Sequence, residues 1–292
     1  MTLRTAVQAI ARQENLNFLL TNRIPRRWIT LFVGWFSKFE APIVREPSIA
    51  MWRLFSDLDL SEARKTEFTS MHDCFTRELK SGVRPIAADP GVITSPCDAI
   101  IGVCGRVRDA QALQAKGAWY PLIDLLHDQD LVDRYRDGLF VTLRLTASMY
   151  HRFHAPYACK VRRLIYISGD TWNVNPIALQ RITHLFCKNE RAIIPCELSE
   201  SGAVITLVPM AAILVASIRL HFANILLHLN YRGANRVDCD TTLAKGQEMG
   251  WFEHGSTIIL FAPSGFSLCE SIIFGRNVKM GEPLLRLPPG VI

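Results

Sequence analysis

From about residue 86 onward the chain is punctuated in a way that leaves few folds open. Short β-branched runs recur between turn signals: Gly91-Val92-Ile93, Ile100-Ile101-Gly102-Val103, Leu139 to Leu145, Val161 to Ile167, Ala203 to Val208 and Ser256 to Phe261. Each has the length of a strand, and turn-forming residues separate one run from the next. One helical stretch, Pro121 to Tyr135, interrupts them. Residues 1–80 have a different texture. Thr5 to Leu20, Ile24 to Phe39 and Ser61 to Leu79 carry few glycines and read as helices, with Ser61-Glu62-Ala63-Arg64 offering a polar N-cap before a charged first turn. Ser81-Gly82-Val83-Arg84-Pro85 stops the last of them. The expected fold class is α+β: a helical N-terminal arm over 1–82, then a mostly antiparallel β domain over 83–292. With 49% hydrophobic and 21% charged residues, the chain can bury a real core.

The formal net charge of +6 suits an acidic partner, either nucleic acid or an anionic membrane surface. The basic residues are dispersed, and no helix-turn-helix, zinc-spaced cysteine or RNP-type motif accompanies them, so nucleic acid is excluded. The run Trp28 to Phe36 is uncharged for nine residues and flanked by Arg26, Arg27 and Lys38. A bilayer span needs about 20 apolar residues, so this is the pattern of a segment lying in the interface. Its alternative is a helix packed on its own domain. Arg26, Arg27, Arg45 and Arg53 are expected to meet anionic lipid. The longer uncharged run Ile205 to Ile218 carries Pro209 and reads as buried strands rather than a membrane span. Residues 1–20 hold Arg4, Arg12 and Glu14, which interrupt any secretory signal. The eight cysteines form no Cys-x-x-Cys pair, which fits core packing in a reducing compartment.

Three spots combine reactive residues with tight context. Ser95-Pro96-Cys97-Asp98-Ala99 places a carboxylate at a turn before a strand, where it can orient a base or cap its own backbone. Tyr150-His151-Arg152-Phe153-His154-Ala155-Pro156 sets two histidines beside a cation; no third ligand stands nearby, so a metal is not expected. Gly255-Ser256-Thr257 puts an unhindered peptide bond and a hydroxyl at the start of a buried strand. It is not a Gly-x-Ser-x-Gly elbow, since Ile258 stands where the second glycine is required. In isolation each spot has an ordinary structural reading.

The string Lys245-Gly246-Gln247-Glu248-Met249-Gly250-Trp251-Phe252-Glu253-His254-Gly255-Ser256-Thr257-Ile258-Ile259 resembles the phosphatidylserine decarboxylase signature K-G-x-E-M-G-x-F-x-x-G-S-T-V-I. Ser95-Pro96-Cys97-Asp98 is similar to that family's S-P-x-D, and Tyr150 to Pro156 to its Y-H-R-x-H-x-P. Val174-Asn175-Pro176 and Leu185-Phe186 through Asn189-Glu190-Arg191 match further blocks, so the resemblance runs from about residue 40 to 285. It implies a proenzyme that cuts itself between Gly255 and Ser256 into chains 1–255 and 256–292. The Ser256 oxygen attacks the Gly255 carbonyl, with His154 as base held by Asp98, and elimination leaves a pyruvoyl group on the new N-terminus. That cofactor forms a Schiff base with the amine of phosphatidylserine and accepts the electrons left when CO2 departs, with no PLP and no metal. His151 or His154 returns the proton. The resemblance further implies a homodimer held peripherally at the cytoplasmic face of the cell membrane.

The chain departs from the family pattern at several points. His254 replaces a usual Leu beside the scissile bond, Ala99 replaces a common Gly, and Met149 stands where many relatives carry Asp. Ala211 and Ala216 replace the glycines of V-G-A-x-x-V-G-S-I. These leave Asp98, His154 and Ser256 in place and bear on the headgroup. The competing readings are a decarboxylase of another serine phospholipid or an amino acid, and a catalytically impaired lipid-binding homologue.

Overall fold

The computed structural model describes residues 13–115, 117–214, 217–253 and 256–290, with the side chains of Phe55 and Ser256 outside the description. An eight-stranded sheet forms its centre. Across it run Arg236–Leu243, Cys159–Ile167, Arg191–Leu198, Val204–Ala211, Ser256–Ala262, Leu139–Arg144, Ala99–Arg106 and Asn277–Val278. A four-stranded sheet holds Ile225–His228, Ser217–Leu220, Glu248–Phe252 and Arg152–His154. A three-stranded one joins Val92–Thr94, Pro283–Arg286 and Ser267–Leu268. Neighbouring strands are antiparallel throughout these sheets. All six runs read from the sequence are strands.

The strand Ser256–Ala262 shows why a near-continuous apolar run was needed. Successive side chains point to opposite faces of a sheet. Ile258 and Leu260 therefore enter one core with Val141, Leu143 and Leu207, while Ile259 and Phe261 enter the other with Phe140, Val208 and Met210. Both faces of the sheet are covered, and each such side chain contributes about 1.5–3 kcal/mol by leaving water.

The N-terminal helices lie against this framework. They are α1 (Glu14–Asn22), α2 (Arg26–Phe36), α3 (Pro42–Phe55) and α4 (Met71–Phe75). α2 is fastened on one side. Its Arg26 pairs with Asp170 at 2.6 Å and lies 3.5 Å over the Trp172 ring, Arg27 donates to the Leu229 carbonyl at 3.0 Å, and Thr30 Oγ1 accepts from the Leu214 N–H at 3.0 Å. Arg26 and Arg27, expected to face lipid, instead anchor the helix to the β framework. The other side of α2 leaves Trp28 and Trp35 exposed. Among the described residues no helix is long and apolar enough to cross a membrane.

Two helix expectations fail for local reasons. Ser61 to Leu79 is helical only at Met71–Phe75, where Ser70 caps the Asp73 N–H. Upstream, Asp59 takes the Ser61 N–H and Ala63 bridges Leu79, so short polar side chains and a β-type contact replace the helical ladder. The stretch Pro121 to Tyr135 splits into α5 (Leu122–Leu126) and α6 (Gln129–Tyr135). His127 adopts φ 51°, and Asp128 starts the second helix by capping the Leu131 N–H. All eight cysteines are free thiols, and Cys74, Cys97, Cys159, Cys196 and Cys269 are buried.

Candidate active site

The sheet pairings bring the sequence motifs together. Leu139–Arg144 pairs with Ser256–Ala262 in the large sheet, and Arg152–His154 pairs with Glu248–Phe252 in the four-stranded one. The two chain segments that cross between the sheets, 145–151 and 253–255, therefore start and end on paired strands. One carries Tyr150 and His151; the other carries the Gly255–Ser256 bond. Ser256 opens its strand opposite Ala211, and Thr257 stands opposite Arg144. His254, Gly255 and the Ser256 side chain lie outside the described residues.

Both histidines are buried. His151 Nδ1 is 2.8 Å from the Met149 carbonyl and His154 Nδ1 is 3.0 Å from the Gly246 carbonyl. A carbonyl only accepts, so each Nδ1 carries the proton and each Nε2 is the basic nitrogen. The carboxylate lost at Met149 is thus replaced, as a partner for His151, by the backbone of Met149 itself. His154 Nε2 accepts from the Tyr150 hydroxyl at 3.1 Å. Burial pulls the His154 pKa below the ordinary histidine value, against the opposing pulls of the Gly246 carbonyl, Glu248 and Asp98. His154 is a neutral base at neutral pH. The Phe252 N–H bonds the His151 carbonyl and Glu248 stands opposite His154, so His151 lies at the end of this strand pair marked by Phe252. Its ring packs on Phe75 with centroids 4.0 Å apart.

Asp98 does not hold His154. Both of its oxygens bind Arg84, at 2.9 and 2.6 Å, and the Met280 N–H donates to Oδ1 at 2.9 Å. Arg84 also reaches Glu62 at 2.7 Å. The expected hydrogen bond is displaced because a guanidinium fork satisfies a buried carboxylate better than one imidazole N–H. Asp98 acts on His154 only through its field, and its direct work is to clamp Met280, which lies beyond Ser256 in the chain.

A cavity of about 690 Å³ opens beside this edge of the sheet. Arg144, Ala212 and Ile213 line it from the β framework, and Phe36, Trp52 and Phe75 from the helices. The N-terminal helices and the turn that follows α2 also reach Glu253. Lys38 lies 3.3 Å from Glu253, and His72 lies 3.8 Å from its other oxygen. Among the described residues no group of three or more His, Cys, Asp or Glu side chains is placed to hold a metal ion.

The phosphatidylserine decarboxylase family profile matches residues 71–286. Over 274 residues the chain is 35% identical to the phosphatidylserine decarboxylase proenzyme of Haemophilus influenzae, covering 89% of this chain and 92% of that one. It is 33% identical to the proenzyme of Salmonella arizonae, covering 89% and 84%. The chain belongs to the phosphatidylserine decarboxylase family.

Within this family member, three site features escaped the sequence reading. Tyr150 was visible only as a letter of the histidine motif, yet it is the hydroxyl on His154 Nε2. The Gly246 carbonyl, inside the signature string, does the orienting work expected of Asp98. Lys38 and Glu253 carry no local mark, because the ion pair joins distant parts of the chain. Of the departures from the family pattern, Ala211 proves the most direct: it is fully buried and faces Ser256 across the strand pair. Ala216 lies outside the described residues.

Proposed function

We propose that the chain decarboxylates phosphatidylserine to phosphatidylethanolamine after cutting itself between Gly255 and Ser256. His154 Nε2 takes the Ser256 hydroxyl proton, and the oxygen attacks the Gly255 carbonyl, turning the amide into an ester. Elimination frees chain 1–255 as a carboxylate. Hydrolysis of the remaining dehydroalanine end releases ammonia and leaves chain 256–292 capped by a pyruvoyl group. When present, that ketoacyl cap is the electron sink for the pair left by CO2. His151 returns a proton to the same carbon.

The observation that carries this reading is that the strands flanking the Tyr150-His151 segment, Leu139–Arg144 and Arg152–His154, pair with the strands flanking the Gly255–Ser256 bond in the sequence, Ser256–Ala262 and Glu248–Phe252. The surroundings suit a pyruvoyl cap. Ser256–Ala262 lies between Val204–Ala211 and Leu139–Arg144, so the small chain stays in the sheet when the bond is cut. Its later strands pair with Val92–Thr94 and Ala99–Arg106, and Met280 is clamped by Asp98. The helical layer serves as the membrane contact at the cytoplasmic face. Its exposed aromatic side adjoins the cavity, so acyl chains can stay in the bilayer while the headgroup enters.

Substitution of the site residues tests the division of labour. Ser256→Ala yields one folded, uncut chain that releases no CO2. His154→Ala stays uncut, and His151→Ala is cut but turns over at least about a hundredfold more slowly, as loss of a general acid entails. Cutting of His154→Ala at the normal rate, with His151→Ala uncut, would exchange the two roles.

A further inference from the structure

Arg144 ends the strand Leu139–Arg144, one strand over from Ser256 and directly opposite Thr257. Its side chain is largely withdrawn from water, and burial draws its pKa below the ordinary arginine value. Among the described residues its guanidinium has no hydrogen-bond, ion-pair or aromatic partner. The chain's other well-buried guanidiniums all have partners: Arg84 has Asp98 and Glu62, Arg191 has four backbone carbonyls, and Arg77, though its Nε is unpaired, donates to the Cys74 and Ser148 carbonyls. A desolvated, unpaired cation is costly, and proteins keep one where a ligand supplies the counter-charge. Arg144 is also the one charged side chain among the described residues lining the cavity beside Ser256.

We propose that Arg144 binds the phosphodiester of the substrate headgroup. This rests on the reading of Ser256 as the reacting centre. With the amine of the serine headgroup at Ser256, the phosphate lies only a few bonds away, within reach of a side chain on the neighbouring strand. The lipid anion offers two negative groups, and the chemistry chooses between them. The carboxylate must lose its charge as CO2, so a guanidinium fork on it would stabilise the ground state and slow the reaction. The phosphodiester keeps its charge from substrate to product, and a planar fork matches its oxygens. The wall formed by Phe36 and Trp52 then leads from this anion site toward the exposed face of the helices, the path the acyl chains take.

Steady-state kinetics with short-chain phosphatidylserine test the assignment on the processed wild type, Arg144→Gln and Arg144→Lys. Arg144→Gln raises KM and weakens inhibition by short-chain phosphatidylethanolamine by the same factor, about tenfold to a hundredfold, because a charge-assisted pair is lost with both lipids. Its kcat stays within about threefold, since the contact is the same in ground and transition state. Arg144→Lys recovers part of the loss. A fall in kcat with unchanged inhibition by phosphatidylethanolamine would assign the guanidinium to the departing carboxylate and overturn the proposal, as would no change in any constant. If Arg144→Gln fails to mature, the wild type decides: short-chain phosphatidylmethanol must inhibit at least about tenfold more strongly than the matching diacylglycerol, and equal inhibition refutes an anion site. Intact mass separates this from the Ser256 reading, because an uncut wild-type chain speaks against cleavage and not against Arg144.

Discussion

In the strand Ser256–Ala262, Ile258 through Phe261 are fully buried, whereas on α2 Trp28, Phe32 and Trp35 are 76%, 57% and 59% exposed. Both segments are apolar runs with almost no charge. The strand sits fourth from one edge of a sheet whose two faces are covered, so Thr257 through Ala262 all meet protein. The helix has one docked side, fixed by Arg26, Arg27 and Thr30, and nothing described covers the other. Contiguous exposed apolar surface of this kind marks an interaction site. The same composition is thus buried as a strand in one place and left exposed as a helix face in the other, and the docking contacts decide which.

The comparison breaks most sharply at Gly250. A Cβ there would lie 1.8 Å from the Arg219 carbonyl oxygen of one neighbouring strand, and the strand that holds Gly250 also carries Glu248 opposite His154 of the other. Backbone cannot yield as a side chain can. Gly250→Ala therefore costs more than about 3 kcal/mol in chemical denaturation and blocks self-cutting by shifting His154. On the helical side the prediction is the reverse. Trp28→Ser with Trp35→Ser leaves folding stability within about 0.5 kcal/mol per site, as exposed positions do. Binding to vesicles containing anionic lipid falls about tenfold or more in sedimentation. A large loss of stability in that variant would mean that the face is packed on protein.

The smallest effect concerns Glu190, next to the sheet edge that holds Ala211. Burial pushes its pKa up to about 7, although the Tyr166 hydroxyl at 2.6 Å and the charge of Arg27 favour the anion. A carboxyl with a raised folded pKa leaves stability untouched below its unfolded value and erodes it as pH rises toward 7. Glu190→Gln keeps the Tyr166 bond and removes the erosion. Thermal denaturation at pH 8 should show the variant more stable by about 1 kcal/mol, the gap closing by pH 4 to 5.

What could be read from the sequence follows from the range of the forces involved. Ser256 to Phe261 was legible as a strand because its β-branched run needs no partner to be recognised. The histidine motif and the Gly-Ser bond, by contrast, took on a chemical reading only through their resemblance to the family's motifs. Ser61 to Leu79 misled because the side chains of Asp59, Ser70 and Asp73 take the backbone N–H groups of Ser61, Asp73 and Thr69 in ways helix propensity does not weigh. Asp98 misled because its true partner, Arg84, stood in a segment read only as a boundary. Arg144 lay unremarked inside the run Leu139 to Leu145. That its guanidinium lacks a partner is a property of the folded surroundings, which no local pattern encodes.

Intact-mass analysis of the freshly purified wild-type chain tests the central claim most directly. Self-cutting at Gly255–Ser256 predicts two species, 1–255 and 256–292. The smaller should be lighter than its sequence by one ammonia and resist N-terminal degradation. A single uncut chain that nonetheless releases CO2 from phosphatidylserine would contradict it.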